Sequence, residues 1–231
     1  MNSMLLDELI EYAGKENVLV SEKLKDHTTF KVGGPCTALV QVSSSEIFSK
    51  VLKCLEKEKE PYFVIGNGSN LLVSDNGFQG VVLKLTGDFL KVSVEGNRIV
   101  AGAGAMVIKV CNDALNNSLS GLEFAYGIPG TVGGAMVMNA GAYDGEMSMV
   151  VEKVQLMDKE GKSFSLSCEE MEFGYRDSIL NSGQSASIPD PIFFIELGIV
   201  IDSKLEQFEK APFPISVTEL GIVYDSIFSQ L

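Results

Sequence analysis

The sequence is poor in histidine, which excludes several kinds of catalytic site. His27 is its one histidine, whereas a histidine-based metal site needs at least two. A serine–histidine–aspartate triad would need His27 as its base, but no Gly-x-Ser-x-Gly motif supplies the nucleophile. We therefore interpret His27 as a surface or loop histidine and predict no metal site.

Cysteine is also sparse, and its spacing excludes a zinc ribbon or a dithiol motif, because no Cys-x-x-Cys pair occurs. A chain of 231 residues can bury a sizeable core without disulfides. We expect four buried thiols in a reduced, cytoplasmic protein. These are Cys36, Cys54, Cys111 and Cys168.

Long apolar runs and excess positive charge are absent as well. No uncharged apolar run approaches the roughly 18 residues of a membrane-spanning helix. The first 14 residues carry three acidic side chains and predict an amphipathic helix rather than a signal peptide. A formal net charge of −13 predicts a surface that repels nucleic acid and anionic membranes. We therefore expect neither nucleic acid nor a membrane as a partner, and a nucleotide ligand would need a local site; the sequence does not indicate the oligomeric state.

The first third of the chain predicts a βαβ unit that ends in a glycine loop. Residues 38–42 are apolar, and Ser43-x-x-Glu46 is a capping box that opens a helix. Tyr62–Ile65 predict a second strand, which runs directly into the loop Gly66–Asn70. Because this loop follows a strand and adds polar side chains, it is a candidate ligand site. The alternative is a connector that needs positive φ.

Further periodic segments predict a second unit and an α+β fold. A helix is predicted over residues 107–115, and residues 151–158 and 163–166 predict a hairpin. The division falls near residue 87, so the predicted lobes are residues 1–86, with the N-terminal helix, and residues 87–182. The remaining predicted strands are residues 71–73, 81–85, 91–94 and 98–101.

Residues 183–231 are predicted to be a divergent tail that contains an internal repeat. Residues 191–207 and 214–230 are identical at 10 of 17 positions, and both copies contain Glu-Leu-Gly-Ile-Val. A solenoid usually needs at least three copies of its repeat. We therefore interpret the tail as a segment of separate origin.

Residues 101–107 lie where a dinucleotide-binding fingerprint would be expected, between a predicted strand and a predicted helix. Val107 takes the position of the fingerprint's third small residue. A tight strand-to-helix turn explains the segment better.

The most informative segment is residues 125–146, which is rich in glycine and alanine and contains no basic side chain. Residues 127–134 hold four glycines, which a purely structural turn rarely needs because each glycine loses more entropy on folding. Such a backbone can approach an anion and bind it through N–H groups. The alternative is a hinge or a tightly packed crossing. Residues 139–143 add a small-residue surface suited to a flat ring.

Arg176 is one of only two arginines and lies in Gly-Tyr-Arg-Asp-Ser. A guanidinium is always charged, so Arg176 could stabilise a developing oxyanion in a site that excludes water. The alternative is an ion pair with Asp177 or a nearby glutamate.

Several of these motifs, in this order along the chain, resemble the UDP-N-acetylenolpyruvoylglucosamine reductases. They are residues 27–34 (His-Thr-Thr-Phe-Lys-Val-Gly-Gly), 66–70, 121–124 (Gly-Leu-Glu-Phe), 127–134, 139–143 and 174–178. The resemblance covers residues 4–182. It implies a two-lobed FAD-binding fold of the vanillyl-alcohol oxidase type rather than a Rossmann fold.

The resemblance also implies the cofactor site. The two glycine loops would hold the FAD diphosphate, and the Asn-Ala-Gly segment would lie near the flavin. The cofactor-binding residues implied are Ile65, Gly66, Asn67, Gly68, Ser69, Asn70, Gly127, Ile128, Pro129, Gly130, Thr131, Gly133, Gly134, Asn139, Ala140, Gly141 and Tyr143.

The implied activity is reduction of the enolpyruvyl group of a UDP-sugar in peptidoglycan precursor synthesis. NADPH would reduce the flavin, and Arg176 would be catalytic by stabilising an enolate-like intermediate. The family's proton-donating serine lies in a Gly-Ser-x-Phe motif, and nothing after Arg176 matches that motif. We therefore expect this chain to lack the C-terminal substrate domain. A non-catalytic FAD-binding remnant and an oxidase or dehydrogenase on another substrate are the alternatives.

Overall fold

The structure is a computed structural model that describes residues 1–182 and 191–200. The second copy of the predicted repeat, residues 214–230, lies outside the described residues. The described part combines helices with a four-stranded sheet, a five-stranded sheet and a short two-stranded one.

The first large sheet is built from the N-terminal part of the chain. Its strands follow the order β1-β2-β4-β3, in which β2 and β3 both run parallel to β4 and β1 runs antiparallel to β2. The predicted strand–helix–strand succession is correct, but β4 lies between β2 and β3. The elements are α1 (Ser3–Ala13), β1 (Val18–Val20), β2 (Cys36–Val42), α2 (Ser45–Glu58), β3 (Tyr62–Ile65) and β4 (Phe78–Leu85).

Helix α2 covers one face of this sheet because its apolar residues recur at helical spacing. Phe48, Val51 and Leu55 are all buried in the core shared with β2 and β4. Ser44, and not the predicted Ser43, caps the helix, since its hydroxyl accepts the Ile47 N–H at 3.3 Å. The capping residue therefore lies one position later than the sequence pattern suggested.

The second large sheet is entirely antiparallel, with the order β10-β9-β11-β6-β5. Strand β11 lies inside the predicted tail, yet it pairs with β9 on one side and β6 on the other. The lobe boundaries proposed above stay a prediction. The strands are β5 (Val92–Glu95), β6 (Arg98–Gly102), β9 (Val151–Asp158), β10 (Ser163–Ser167) and β11 (Pro191–Val200).

Three more α-helices, a small hairpin and five short 3₁₀ helices complete the regular elements of the described residues. The 3₁₀ helices are Lys15–Asn17, Leu24–His27, Gly87–Leu90, Glu123–Ala125 and Met147–Met149. The predicted helix is α3 (Val107–Asn116), and the short helices are α4 (Val132–Val137) and α5 (Ile179–Ser182). Strands β7 (Gly141–Ala142) and β8 (Gly145–Glu146) form the two-stranded sheet.

The turn between β6 and α3 anchors helix α4, as close backbone contacts there show. The N–H of Gly133 donates to Ala103 O and the N–H of Val132 to Ala105 O, each at 2.8 Å. The expected tight strand-to-helix turn is confirmed. It also brings the second glycine loop to the edge of the first sheet.

Candidate functional site

A cavity of about 750 Å³ lies where the first sheet meets the turn after β6 and helix α4. This volume falls in the range of about 300–1,000 Å³ typical of small-molecule sites. Most of its lining is apolar or backbone. The lining residues are Glu56, Tyr62, Phe63, Val64, Ile65, Gly66, Asn67, Lys84, Leu85, Thr86, Leu90, Ala103, Gly104, Met106, Thr131, Gly133, Gly134, Val137, Lys159 and Leu180.

The first glycine loop, residues 66–70, leaves edge strand β3 at the cavity wall. Gly68 adopts φ +63°, and a Cβ there would clash with the carbonyl of His27. Thr29 holds the loop by donating its N–H to Gly68 O at 3.1 Å. Within the described residues, the backbone N–H groups of residues 67–70 donate no hydrogen bond. The loop therefore offers a row of donors suited to an anion.

The two glycine loops are joined to each other. Asn67 Nδ2 donates to Pro129 O at 2.7 Å. Gly66 packs so closely on Thr131 that a Cβ would clash with the threonine Oγ1. The same Oγ1 accepts the Gly134 N–H and caps helix α4. The structure thus brings together the two loops that the sequence placed about 60 residues apart.

The second loop contains glycines that the fold itself does not require. Gly127 and Gly134 both have negative or extended φ, and neither is crowded. A Cβ on Gly127 would meet nothing within 4 Å, and one on Gly134 would meet its nearest atom, Thr131 Oγ1, at 3.6 Å. Since Gly134 lines the cavity, a side chain there would fill space that a cofactor could use. The loop therefore fits a ligand that lies against bare backbone.

The small-residue segment from Asn139 to Tyr143 lies beside the cavity rather than in its lining. Asn139 is 1% exposed, and its side chain donates to Gly174 O at 2.9 Å and accepts the Ser148 N–H at 3.0 Å. Ala140 is buried, whereas Tyr143 is 78% exposed. The Asn139 amide is thus engaged with the protein on both of its polar atoms.

Arg176 lies on a tight turn in which Gly174 and Asp177 form an isolated β-bridge. Its guanidinium carbon is 5.8 Å from the centre of the Tyr175 ring, and its φ is +54°. Ser178 Oγ donates to Val137 O at 2.8 Å, so the end of the turn is bonded to a cavity-lining residue.

Hydrogen bonds near this turn, together with the charge of Arg176, lower the pKa of Glu146. Hydrogen bonds from Ser148 and Asn139 hold the pKa of Glu146 below its usual value, and Arg176 contributes in the same direction. The carboxylate of Asp177 accepts the Ser178 N–H at 2.9 Å and Asn181 Nδ2 at 3.1 Å. These bonds engage Asp177, which the sequence offered as a partner of Arg176, with its own local backbone and side chains.

The interpretation of His27 as a simple loop histidine is incomplete. Its side chain is only 13% exposed, and its two ring nitrogens contact Glu22 Oε1 at 2.9 Å and Lys84 Nζ at 3.1 Å. Lys84 lines the cavity, and burial lowers its pKa despite an opposing effect of Glu22. No sequence pattern pointed to Lys84, because its partners lie far from it along the chain.

The four cysteines fall largely as expected. All four cysteines are free thiols; three are buried and Cys168 is partly buried, a departure from the expectation.

In the described ranges, no group of histidine, cysteine, aspartate or glutamate side chains could hold a metal ion. None of the described helices combines the length and the apolar character needed to cross a bilayer.

The predicted site residues divide into three groups. Ile65, Gly66, Asn67, Thr131, Gly133 and Gly134 line the cavity. The remaining predicted loop residues flank it in the two joined loops; they are Gly68, Ser69, Asn70, Gly127, Ile128, Pro129 and Gly130. Asn139, Ala140, Gly141, Tyr143 and Arg176 lie outside the lining. Their roles toward a cofactor stay predictions.

The lining residues that the sequence missed include Ala103, Gly104 and Met106. The small residues of this turn were a signal for them. Because small residues also suit a tight turn, the segment predicted a turn and not a cavity wall.

Comparison with known proteins supports a cofactor site. Residues 36–167 match the family described as FAD binding domain. The UDP-N-acetylenolpyruvoylglucosamine reductase of Clostridium tetani (strain Massachusetts / E88) is 48% identical over 179 residues, which are 77% of this chain and 58% of that protein. The chain therefore spans less than two thirds of that relative's length.

Solved structures give the same result for the fold. The crystal structure of UDP-N-acetylenolpyruvylglucosamine reductase from Thermus caldophilus matches with a TM-score of 0.65 and 36% identity, over 79% of this chain and 60% of that one. p-Cresol methylhydroxylase matches with a TM-score of 0.60 and 17% identity, over 86% and 42%. The predicted α+β FAD-binding fold of the vanillyl-alcohol oxidase type and the resemblance to the reductases are confirmed.

Proposed function

The chain belongs to this family of FAD binding domains, and we propose that it binds FAD in the cavity and reduces the enolpyruvyl group of a UDP-N-acetylglucosamine derivative with NADPH. The observation that carries the proposal is the joining of two glycine loops, through Asn67 and Pro129, at the wall of one cavity. The name of the Clostridium tetani relative, UDP-N-acetylenolpyruvoylglucosamine reductase, supplies the substrate class.

The cavity suits a dinucleotide whose diphosphate lies on the first glycine loop. A protein of net charge −13 does not attract an anion through its overall field. The N–H groups of residues 67–70 supply local donors instead. Apolar lining from Val64, Leu85 and Met106 gives flat, uncharged surface for aromatic rings.

FAD held by the two glycine loops would supply hydride transfer from NADPH to the enolpyruvyl double bond. The proton that completes the reduction would come from solvent, because the sequence has no Gly-Ser-x-Phe motif after Arg176. The chain's own residues bind, orient and stabilise. Arg176 would stabilise negative charge that develops on the substrate carboxylate as hydride arrives. Asn139 and Ser178 would hold the turn that carries it, through their bonds to Gly174 and Val137.

Backbone strain supports a functional role for this region. Five of the nine non-glycine residues with positive φ in the described part of the chain lie here: Asn139, Glu172 and Arg176, and also Tyr143 and Asp144, which are the two central residues of the β7–β8 hairpin. Such conformations cost about 1–3 kcal/mol each and tend to occur at functional sites, where the surrounding structure holds them in place. Their grouping on the two bonded segments is consistent with a pre-organised catalytic turn.

The test begins with the purified chain as it is. Its absorbance spectrum is recorded, FAD is added, and binding is followed by quenching of flavin fluorescence. Anaerobic NADPH is then added without and with the enolpyruvyl UDP-sugar. We expect bleaching of the flavin by NADPH and its reoxidation by the sugar nucleotide.

Each outcome has a distinct meaning. A chain that binds no FAD would contradict the proposal at its first step. Bleaching without reoxidation would instead leave an FAD-binding protein that does not turn over this substrate. The Thermus caldophilus reductase serves as the positive control for both half-reactions, because it has a similar fold and is named for the proposed activity.

A further inference from the structure

Side chains from two separate parts of the chain form a hydrogen-bonded row that ends on a cavity-lining residue: Glu22 and His27 come from one part and Lys84 from strand β4. Glu22 Oε1 lies 2.9 Å from His27 Nε2, and His27 Nδ1 lies 3.1 Å from Lys84 Nζ. The side chains of Glu22 and His27 are 30% and 13% exposed. Lys84 lines the cavity. The row therefore ends on a partly buried lysine of the cavity wall.

The chemistry of the row fixes the direction of its hydrogen bonds. A protonated lysine can only donate, so His27 Nδ1 accepts from Lys84. The proton of a neutral His27 must then lie on Nε2, which donates to the Glu22 carboxylate. One ammonium N–H is used in this way, and no other acceptor for Lys84 occurs among the residues that the structure describes, which leaves two N–H groups for a ligand.

The same segment fixes both the ammonium and the first glycine loop. The carbonyl of His27 is in contact with the position where a Gly68 Cβ would stand. Thr29, two residues later, donates to Gly68 O. Lys84 also pairs in register with Ile65, the residue that precedes the loop. Lys84 is thus tied both to His27 and to the strand that leads into the loop, whose N–H groups at residues 67–70 donate no hydrogen bond within the described part of the chain.

We propose that Lys84 Nζ binds a phosphate oxygen of the dinucleotide, and that His27 and Glu22 are positioning residues that hold the ammonium toward it. The proposal rests on the proposed function, because it takes FAD as the ligand of the cavity. It adds a charged side chain to a site that otherwise binds the phosphates through backbone. It also explains how a strongly acidic protein gains local attraction for an anion.

The test compares ligands with and without phosphate. Affinities for FAD, riboflavin and inorganic pyrophosphate are measured for the full chain and for Lys84→Met, Lys84→Arg and His27→Gln. Lys50→Met is the matched control, because it removes one lysine charge from an exposed i,i+4 pair with Glu46 on α2. Circular dichroism and thermal unfolding confirm that each variant is folded.

We expect Lys84→Met to weaken FAD binding about 10- to 100-fold, the range for a hydrogen bond to a charged group. Riboflavin has no phosphate, so its affinity should change less than twofold. Lys84→Arg should retain most of the FAD affinity. His27→Gln should weaken FAD binding by a smaller factor, and it should have no further effect in the Lys84→Met background. Lys50→Met should bind all three ligands like the unmodified chain.

The proposal is overturned if Lys84→Met binds FAD within twofold of the unmodified chain, or if it loses FAD and riboflavin affinity equally. Should Lys84→Met not fold, Lys84→Gln is judged by the same criteria. If the unmodified chain binds no flavin, the proposed function fails and pyrophosphate decides this inference. Pyrophosphate binding that depends on Lys84 would then support it, and no such binding would refute it.

Discussion

Asn139 joins two segments that are 35 residues apart, by donating its side-chain N–H to the carbonyl of Gly174 at 2.9 Å. The same amide accepts the N–H of Ser148 at 3.0 Å. Because Asn139 is almost fully buried, the two bonds are shielded from water. The turn that carries Arg176 is thus fixed to the segment that follows helix α4.

The first prediction concerns this bond. Asn139→Asp keeps the acceptor for Ser148 but loses the donor to Gly174, and it places a charge in a buried site. We expect the free energy of unfolding to fall by about 1–3 kcal/mol, as measured by urea denaturation. FAD affinity should change less than threefold, since Asn139 lies outside the cavity lining. A large loss of FAD affinity with unchanged stability would instead favour direct contact between Asn139 and the cofactor.

The second prediction separates glycines needed by the fold from those needed by a ligand. Gly134→Ala places a methyl group in open space at the cavity wall, and alanine is the better helix former. We expect stability to rise by up to about 1 kcal/mol while FAD affinity falls at least tenfold. Gly174→Ala is the matched control, since its methyl group would likewise make only an ordinary contact, with Asp177 Cβ at 3.8 Å, and Gly174 lies outside the lining. Equal FAD affinity in the two variants would count against the proposed site.

The third prediction concerns the contact between the loops. Gly66→Ala should destabilise the chain, because its Cβ clashes with Thr131 Oγ1. Thr131→Ala alone should cost about 1 kcal/mol by removing the cap of helix α4. The double variant should lose less stability than the two single variants lose together. With the threonine Oγ1 removed, the Cβ at position 131 lies 3.4 Å from the new methyl group, so the clash is relieved. Strictly additive losses in denaturant unfolding would show that the two residues are not in contact.

Local sequence signals explain which elements could be predicted. Strand Tyr62–Ile65 was predicted with its observed bounds, because Pro61 and Gly66 mark both of its ends. Residues 71–73 were wrongly predicted as a strand on their apolar character alone. Val73 does enter a hydrophobic core, but Leu72 is 59% exposed and the segment joins no sheet.

Contacts between distant residues explain what was missed. The position of β4 between β2 and β3 depends on pairing across the sheet, which no local pattern encodes. Lys84 is separated from His27 by 57 residues, so neither residue alone indicated a charged group at the cavity. The glycine loops could be predicted because a loop that needs small residues shows this need in its own short stretch of sequence.

The fourth prediction concerns thiol reactivity. Burial raises the pKa of Cys36 and Cys111 to about 11 and, with the hydrogen bond to Glu8, that of Cys54 to about 12. A raised pKa leaves less thiolate, so at pH 8 Cys36 should react with iodoacetamide about a hundredfold more slowly than an ordinary thiol. Its rate should keep rising about tenfold per pH unit up to pH 10.

Mass spectrometry of the labelled peptides gives the rate at each cysteine. Cys168 should react first, since it is the least buried of the four. In denaturant all four should react at similar rates, which provides the control. Faster labelling of Cys54 than of Cys168 in the folded protein would contradict the observed burial.

The last prediction concerns Arg176, whose guanidinium we assign to the substrate rather than to the cofactor. Arg176→Lys keeps the charge but loses the planar set of donors. Because Arg176 lies outside the cavity lining, FAD affinity and the rate of flavin bleaching by NADPH should stay within threefold. Reoxidation by the enolpyruvyl UDP-sugar should slow about 10²- to 10³-fold, the usual effect of removing a donor that stabilises transition-state charge. Stopped-flow absorbance separates the two half-reactions, and equal slowing of both would place Arg176 at the cofactor instead.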